Sequence, residues 1–70
     1  MASQPPPVHV VVRDTRRLAG WSQAQLAERA DVSRPTVARL EAGLDVSTGS
    51  LAKVLRALEL QVRIERRDSA

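Results

Sequence analysis

Cysteine is absent from this 70-residue chain, so neither a disulfide nor a thiolate metal site can stabilise it. Aromatic residues are almost absent as well: there is one Trp, with no Phe and no Tyr. Any core must therefore be built from Leu, Val and Ala, a composition suited to helix packing. The only histidine, His9, follows a Pro run, the setting of a solvated residue rather than a ligand or a base. With no second His and no Cys, no transition-metal site is expected. A serine nucleophile would need a base held against it, and no such constellation is present, so neither an enzyme nor a cofactor is expected. No apolar run reaches membrane length and no signal peptide precedes the domain, which leads us to expect a cytoplasmic, bacterial protein without membrane association.

Seventy residues support one domain at most, and so short a chain buries little of its surface. Oligomerisation is the remaining common source of stability. Eleven Lys and Arg against eight Asp and Glu give a net charge of +3, compatible with a nucleic-acid partner without requiring one. Between Ser22 and Gly43 the charges cancel, with Arg29, Arg34 and Arg39 set against Glu28, Asp31 and Glu41. A case for DNA binding must therefore rest on where these side chains point.

The stretch WSQAQLAERADVSRPTVARLEAG, Trp21 to Gly43, organises the chain. Ser22 followed by Gln25 is a capping box, and Trp21 with Leu26 can form a hydrophobic staple. Leu26, Ala27 and Ala30 share one face, which predicts a helix over 23–30. Ser33 caps the next helix, Val32 and Val37 can staple it, and Pro35 lies in the first turn, where a missing N–H costs nothing. This helix runs to about Glu41 and stops at Gly43. Only Asp31, Val32 and Ser33 link the two, with Asp31 expected in the left-handed conformation, so the pair reads as a helix-turn-helix.

Around this block the chain divides into five further parts. Residues 1–9 read as a disordered Pro-rich lead. VHVVV is strand by propensity, yet Val11, Val12, Thr15, Leu18 and Ala19 also form a helical stripe, and we expect a helix from about Val10 to Ala19 ended by Gly20. After Gly43, Ser47 caps a helix from Thr48 to about Glu59 whose core stripe is Leu51, Val54, Leu55 and Leu58. Lys53 and Arg56 lie off that stripe and read as solvated. Leu60, Val62 and Ile64 then alternate with polar residues, the period of a strand, predicted over 60–67 before a tail at 68–70. A lone strand finds its economical partner in the same strand of a second copy; the alternative is a frayed polar tail.

The pattern R-x-x-R-x-x-x-G-x-S-Q, carried by Arg13, Arg16, Gly20, Ser22 and Gln23, continues through Leu26-Ala27, Val32-Ser33, Val37 and Glu41-x-Gly43. With these residues the chain resembles the Cro and phage-repressor helix-turn-helix proteins, the XRE family, from about Val11 to Leu60. Asp31 stands where that family usually has Gly. The LEL-x-V-x-I ending further resembles Hip-type antitoxins. The resemblance implies a mainly α fold, a four-helix repressor-like domain with a C-terminal strand that pairs across a dimer. It also implies a structural ion pair between Arg16 and Glu41, which is physically sensible because a carboxylate at a helix C-terminus opposes the helix dipole.

In a helix-turn-helix the second helix enters the major groove. With Val37 and Leu40 facing inward, Arg34, Pro35 and Ala38 are the expected base contacts, Arg34 through two donors to guanine. Ser33 can read a base edge or cap its own helix. Gln23, at a helix N-terminus, together with Thr36 and Arg39, is expected at phosphates, while Arg13 and Arg17 read equally well as solvated charges. The implied function is a sequence-specific transcriptional repressor that binds a palindromic double-stranded operator as a homodimer. Within the Hip-type branch it would be the autoregulating antitoxin of a toxin–antitoxin operon, with a toxin as a further partner. The alternative is a protein-interaction module that docks a toxin or transcription factor and hardly reads DNA.

Overall fold

The computed structural model describes residues 4–60, which form four helices: α1 (Val8–Leu18), α2 (Gln23–Ala30), α3 (Arg34–Glu41) and α4 (Thr48–Ala57). α2 packs against both α3 and α4, and α1 packs against α3. The shared core consists of Val12, Leu26, Ala27, Ala30, Val37, Leu40, Val54, Leu55 and Leu58, with Trp21, Val32, Val46, Leu51 and Leu60 packed around it.

Both ends of the helices follow from local chemistry. Ser22, Ser33 and Ser47 each accept a hydrogen bond from the backbone N–H three residues on, at Gln25, Thr36 and Ser50, and the Ser22 N–H in turn donates to the Gln25 side-chain oxygen. At the C-termini all four helices close in one way. The N–H groups of Trp21, Val32, Leu44 and Leu60 donate to the carbonyls of Arg16, Ala27, Arg39 and Leu55, five residues back. The residue before each donor, Gly20, Asp31, Gly43 or Glu59, takes a positive φ. This is the Schellman closure, in which the apolar residue after the left-handed one folds back onto its helix. Trp21, Val32 and Leu60 do so against the core, whereas Leu44 remains half exposed.

Three expectations are corrected. Helix α1 begins at Val8, inside the segment read as a disordered lead, because the Pro7 carbonyl accepts from Val10 and Val11 and because the first turn packs on the end of α3. His9 is half-buried there, and a Cβ added at Gly43 would meet its ring at 3.6 Å. This packing overrides the strand propensity of the valines. Leu18, placed in the expected stripe, is 89% exposed; the buried line of α1 is Val12 and Arg16, one turn apart. Leu60, expected to open the strand and the dimer contact, instead closes α4 and packs on its own core, while Val62 and Ile64 lie outside the described residues. Among the described residues no strand occurs, and no helix is long and apolar enough to cross a membrane.

Candidate nucleic-acid interface

The turn between α2 and α3 fixes how α3 is displayed. Asp31 sits at φ 58 and ψ 46, the left-handed conformation, and ends α2, while Ser33 returns to extended backbone and starts α3 two residues later. On its inner side α3 is held by Val37 and Leu40 in the core.

A buried ion pair completes the anchoring. Arg16 Nε donates to Glu41 Oε2 at 2.7 Å and Nη2 donates to Oε1 at 2.9 Å, a bidentate fork, while Nη1 donates to the Trp21 carbonyl at 2.8 Å. Both side chains are at least nine-tenths buried. Burial pushes the Glu41 carboxyl up, but hydrogen bonds from Arg16 and Gln23 and the charges of Arg16 and Arg17 outweigh it, and the group stays below the usual carboxylate range. The hydrogen bond to Glu41 raises the Arg16 guanidinium above its ordinary value despite desolvation. The pair locks α1 to the C-terminal end of α3 and satisfies both buried charges.

The outer side of α3 follows from that anchoring. Arg34, Pro35 and Arg39 are exposed, and Thr36 and Ala38 are half-buried. Arg34 with Ala38, and Pro35 with Arg39, are spaced four apart and form two adjoining stripes. The one carboxylate of α3 is buried against Arg16, so the exposed side carries two guanidinium groups and no acid. Arg34 has no hydrogen-bond or ion-pair partner among the described residues.

The remaining expected site residues are more tied down. Ser33 Oγ accepts the Thr36 N–H at 3.2 Å and lies 2.8 Å from Thr36 Oγ1, so the cap and the expected phosphate contact engage each other. Arg39 Nη2 donates to the Asp45 carbonyl at 3.2 Å, which leans it toward the loop before α4. Gln23 Nε2 donates to Glu41 Oε1 at 3.3 Å and so braces the ion pair from the first turn of α2. The two lie 18 positions apart, and nothing in the sequence pointed to that contact. For Arg17 the sequence leaves a solvated charge and a contact equally open. The residue is exposed, and its charge reaches Glu41, which places it beside the same end of α3.

A helix-turn-helix family model matches residues 12–64. No curated protein matches the chain. Among solved structures, a chain of the HipA–HipB–O2–O3 complex superposes with a TM-score of 0.77 at 22% identity, covering 97% of each chain. A chain described as MDT protein gives the same values. A chain of the HipB–O4 20mer complex superposes with a TM-score of 0.77 at 20% identity, covering 97% of this chain and 100% of that one. At such identities these likenesses establish the shared fold.

Proposed function

Because the chain belongs to the helix-turn-helix family, of the XRE type, we propose that it is a sequence-specific DNA-binding transcriptional repressor. Support comes from the exposed side of α3, which presents Arg34 and Arg39 without a carboxylate while Val37, Leu40 and the Arg16–Glu41 pair hold the helix in a single orientation. Arg34 reads a base edge from the first turn of α3, and Pro35 and Ala38 offer small apolar surface to a thymine methyl. Thr36, Arg39 and Gln23 meet phosphates, which set register rather than sequence. Ser33 serves chiefly as the cap of α3, given its bond to Thr36.

The finer reading is an autoregulating antitoxin that acts as a homodimer on a palindromic operator, with a toxin as partner. It is supported by the solved chains of similar fold, whose descriptions are of HipB in complex with O1–O2 and with an O4 20mer, and of HipA with HipB and O2–O3. The alternation of Val62 and Ile64 with polar residues in the sequence supports the dimer. A gel-shift titration with the DNA upstream of the protein's own reading frame tests the function. Salt-dependent, saturable retardation that survives excess unrelated duplex is expected. Equal affinity for every duplex at all salt concentrations would overturn it.

A further inference from the structure

A second feature lies outside α3. A cleft of about 300 Å³ opens between the C-terminal end of α2 and α4, lined by Arg29, Ala30, Asp31, Lys53, Arg56 and Ala57. Three cations thus surround one carboxylate. The Arg29 guanidinium lies 4.4 Å above the Trp21 ring, which holds it without a carboxylate. Arg56 has no ion pair among the described residues. Lys53 Nζ is 3.9 Å from Asp31 Oδ2, with both side chains more than half exposed, a contact weak enough to exchange for another. Buried Ala30 and half-buried Ala57 provide a small apolar floor.

We propose that this cleft binds an acidic segment of a partner protein. The inference goes beyond the DNA-binding function and does not depend on it, since no α3 residue lines the cleft. Charge complementarity selects an anionic occupant, and the cleft's own chemistry selects peptide over nucleic acid. Asp31 and the carbonyl end of α2 would repel a backbone carrying a charge at every nucleotide. A peptide can place carboxylates on Arg29 and Arg56, turn a backbone N–H toward Asp31, and lay an apolar side chain on the two alanines.

The test is an amide-shift titration of the full ¹⁵N-labelled chain with a short capped peptide of alternating Glu and Leu. The same peptide with Gln for Glu and a random-sequence duplex are run beside it. The acidic peptide should move the amides of Ala30, Asp31 and Ala57, and the Gln peptide should not. Arg56→Glu should weaken peptide binding about tenfold or more and leave duplex binding unchanged. Lys53→Gln, also at an exposed position, provides a second variant if Arg56→Glu alters the spectrum of the free protein. Equal shifts from the Gln peptide, shifts confined to Arg34 and Ala38, or undiminished peptide binding by the variants would overturn the proposal. So would a loss of duplex affinity on Arg56→Glu, which would make the cleft a phosphate contact.

Discussion

Arg34 and Gln23 differ in how firmly the protein holds them, and that difference predicts how each fails when removed. Arg34 has no partner among the described residues, whereas Gln23 leans on Glu41. Arg34→Ala should cost roughly 1–3 kcal/mol on the cognate site and relax discrimination at one base pair per half-site. Gln23→Ala should weaken binding to all duplexes alike. Selection from random duplexes with both variants compares them; an unchanged motif for Arg34→Ala would remove Arg34 from base reading.

For Arg16 the expected loss is in the fold. Arg16→Ala leaves Glu41 buried and unpaired, a loss of about 3 kcal/mol or more, read as a lowered urea midpoint. The pH dependence has one sign. Glu41 is held below its ordinary value, so its contribution is full above the ordinary glutamate range and is lost as acid carries the solution down through the folded value. Arg16, shifted upward, titrates beyond any practical pH. Stability should therefore fall on acidification below about pH 4, and more steeply in the wild type than in Arg16→Ala. Parallel curves would mean that the pair does not set the acid limit.

Among the elements, α2 and α3 were legible in the sequence down to their ends, because their starts and stops are written in local chemistry: Ser22 with Gln25, Ser33 with Pro35, and Asp31 in the left-handed turn. The start of α1 was not, since the packing of its first turn on Gly43 is a tertiary contact that no local pattern encodes. Leu60 misled for a related reason. An alternating run and a Schellman closure both place an apolar residue there, and only the fold distinguishes them. The Arg16–Glu41 pair was accessible through family resemblance, whereas the brace from Gln23 and the stacking of Arg29 on Trp21 were visible only in three dimensions.

Two of the four closures use Gly and two use acidic residues, which yields a prediction about the elements themselves. Asp31 bears the steric cost of the left-handed conformation and places a negative charge at the C-terminal end of α2. Asp31→Gly relieves both, against a larger entropy loss on folding. A net gain of about 0.5–1 kcal/mol is expected, seen as a raised thermal midpoint with unchanged helicity. A lower midpoint would show that the Lys53 contact outweighs the strain.

At the scale of the molecule, the nine buried apolar residues among those described form a small core, the circumstance in which association adds most to stability. Sedimentation should show about twice the chain mass. Deleting residues 61–70 while keeping Leu60, which belongs to the core of its own chain, should yield a folded monomer with weakened operator binding. A truncated chain that remained dimeric at low concentration would move the interface elsewhere.

The reach of the Arg16–Glu41 fork has a kinetic meaning. Every cap and closure joins residues within five positions of one another, while the fork spans 25. The helices can therefore form early from their own sequence, and the fork can close only when α1 and α3 have docked. It acts on the lifetime of the native state more than on the speed of reaching it. Stopped-flow measurements on Arg16→Ala should find unfolding faster by about a hundredfold if about 3 kcal/mol is lost, with folding little changed. A comparable slowing of folding would place the pair in the nucleus; otherwise it is a latch, and the residence time of the folded protein is set by one guanidinium.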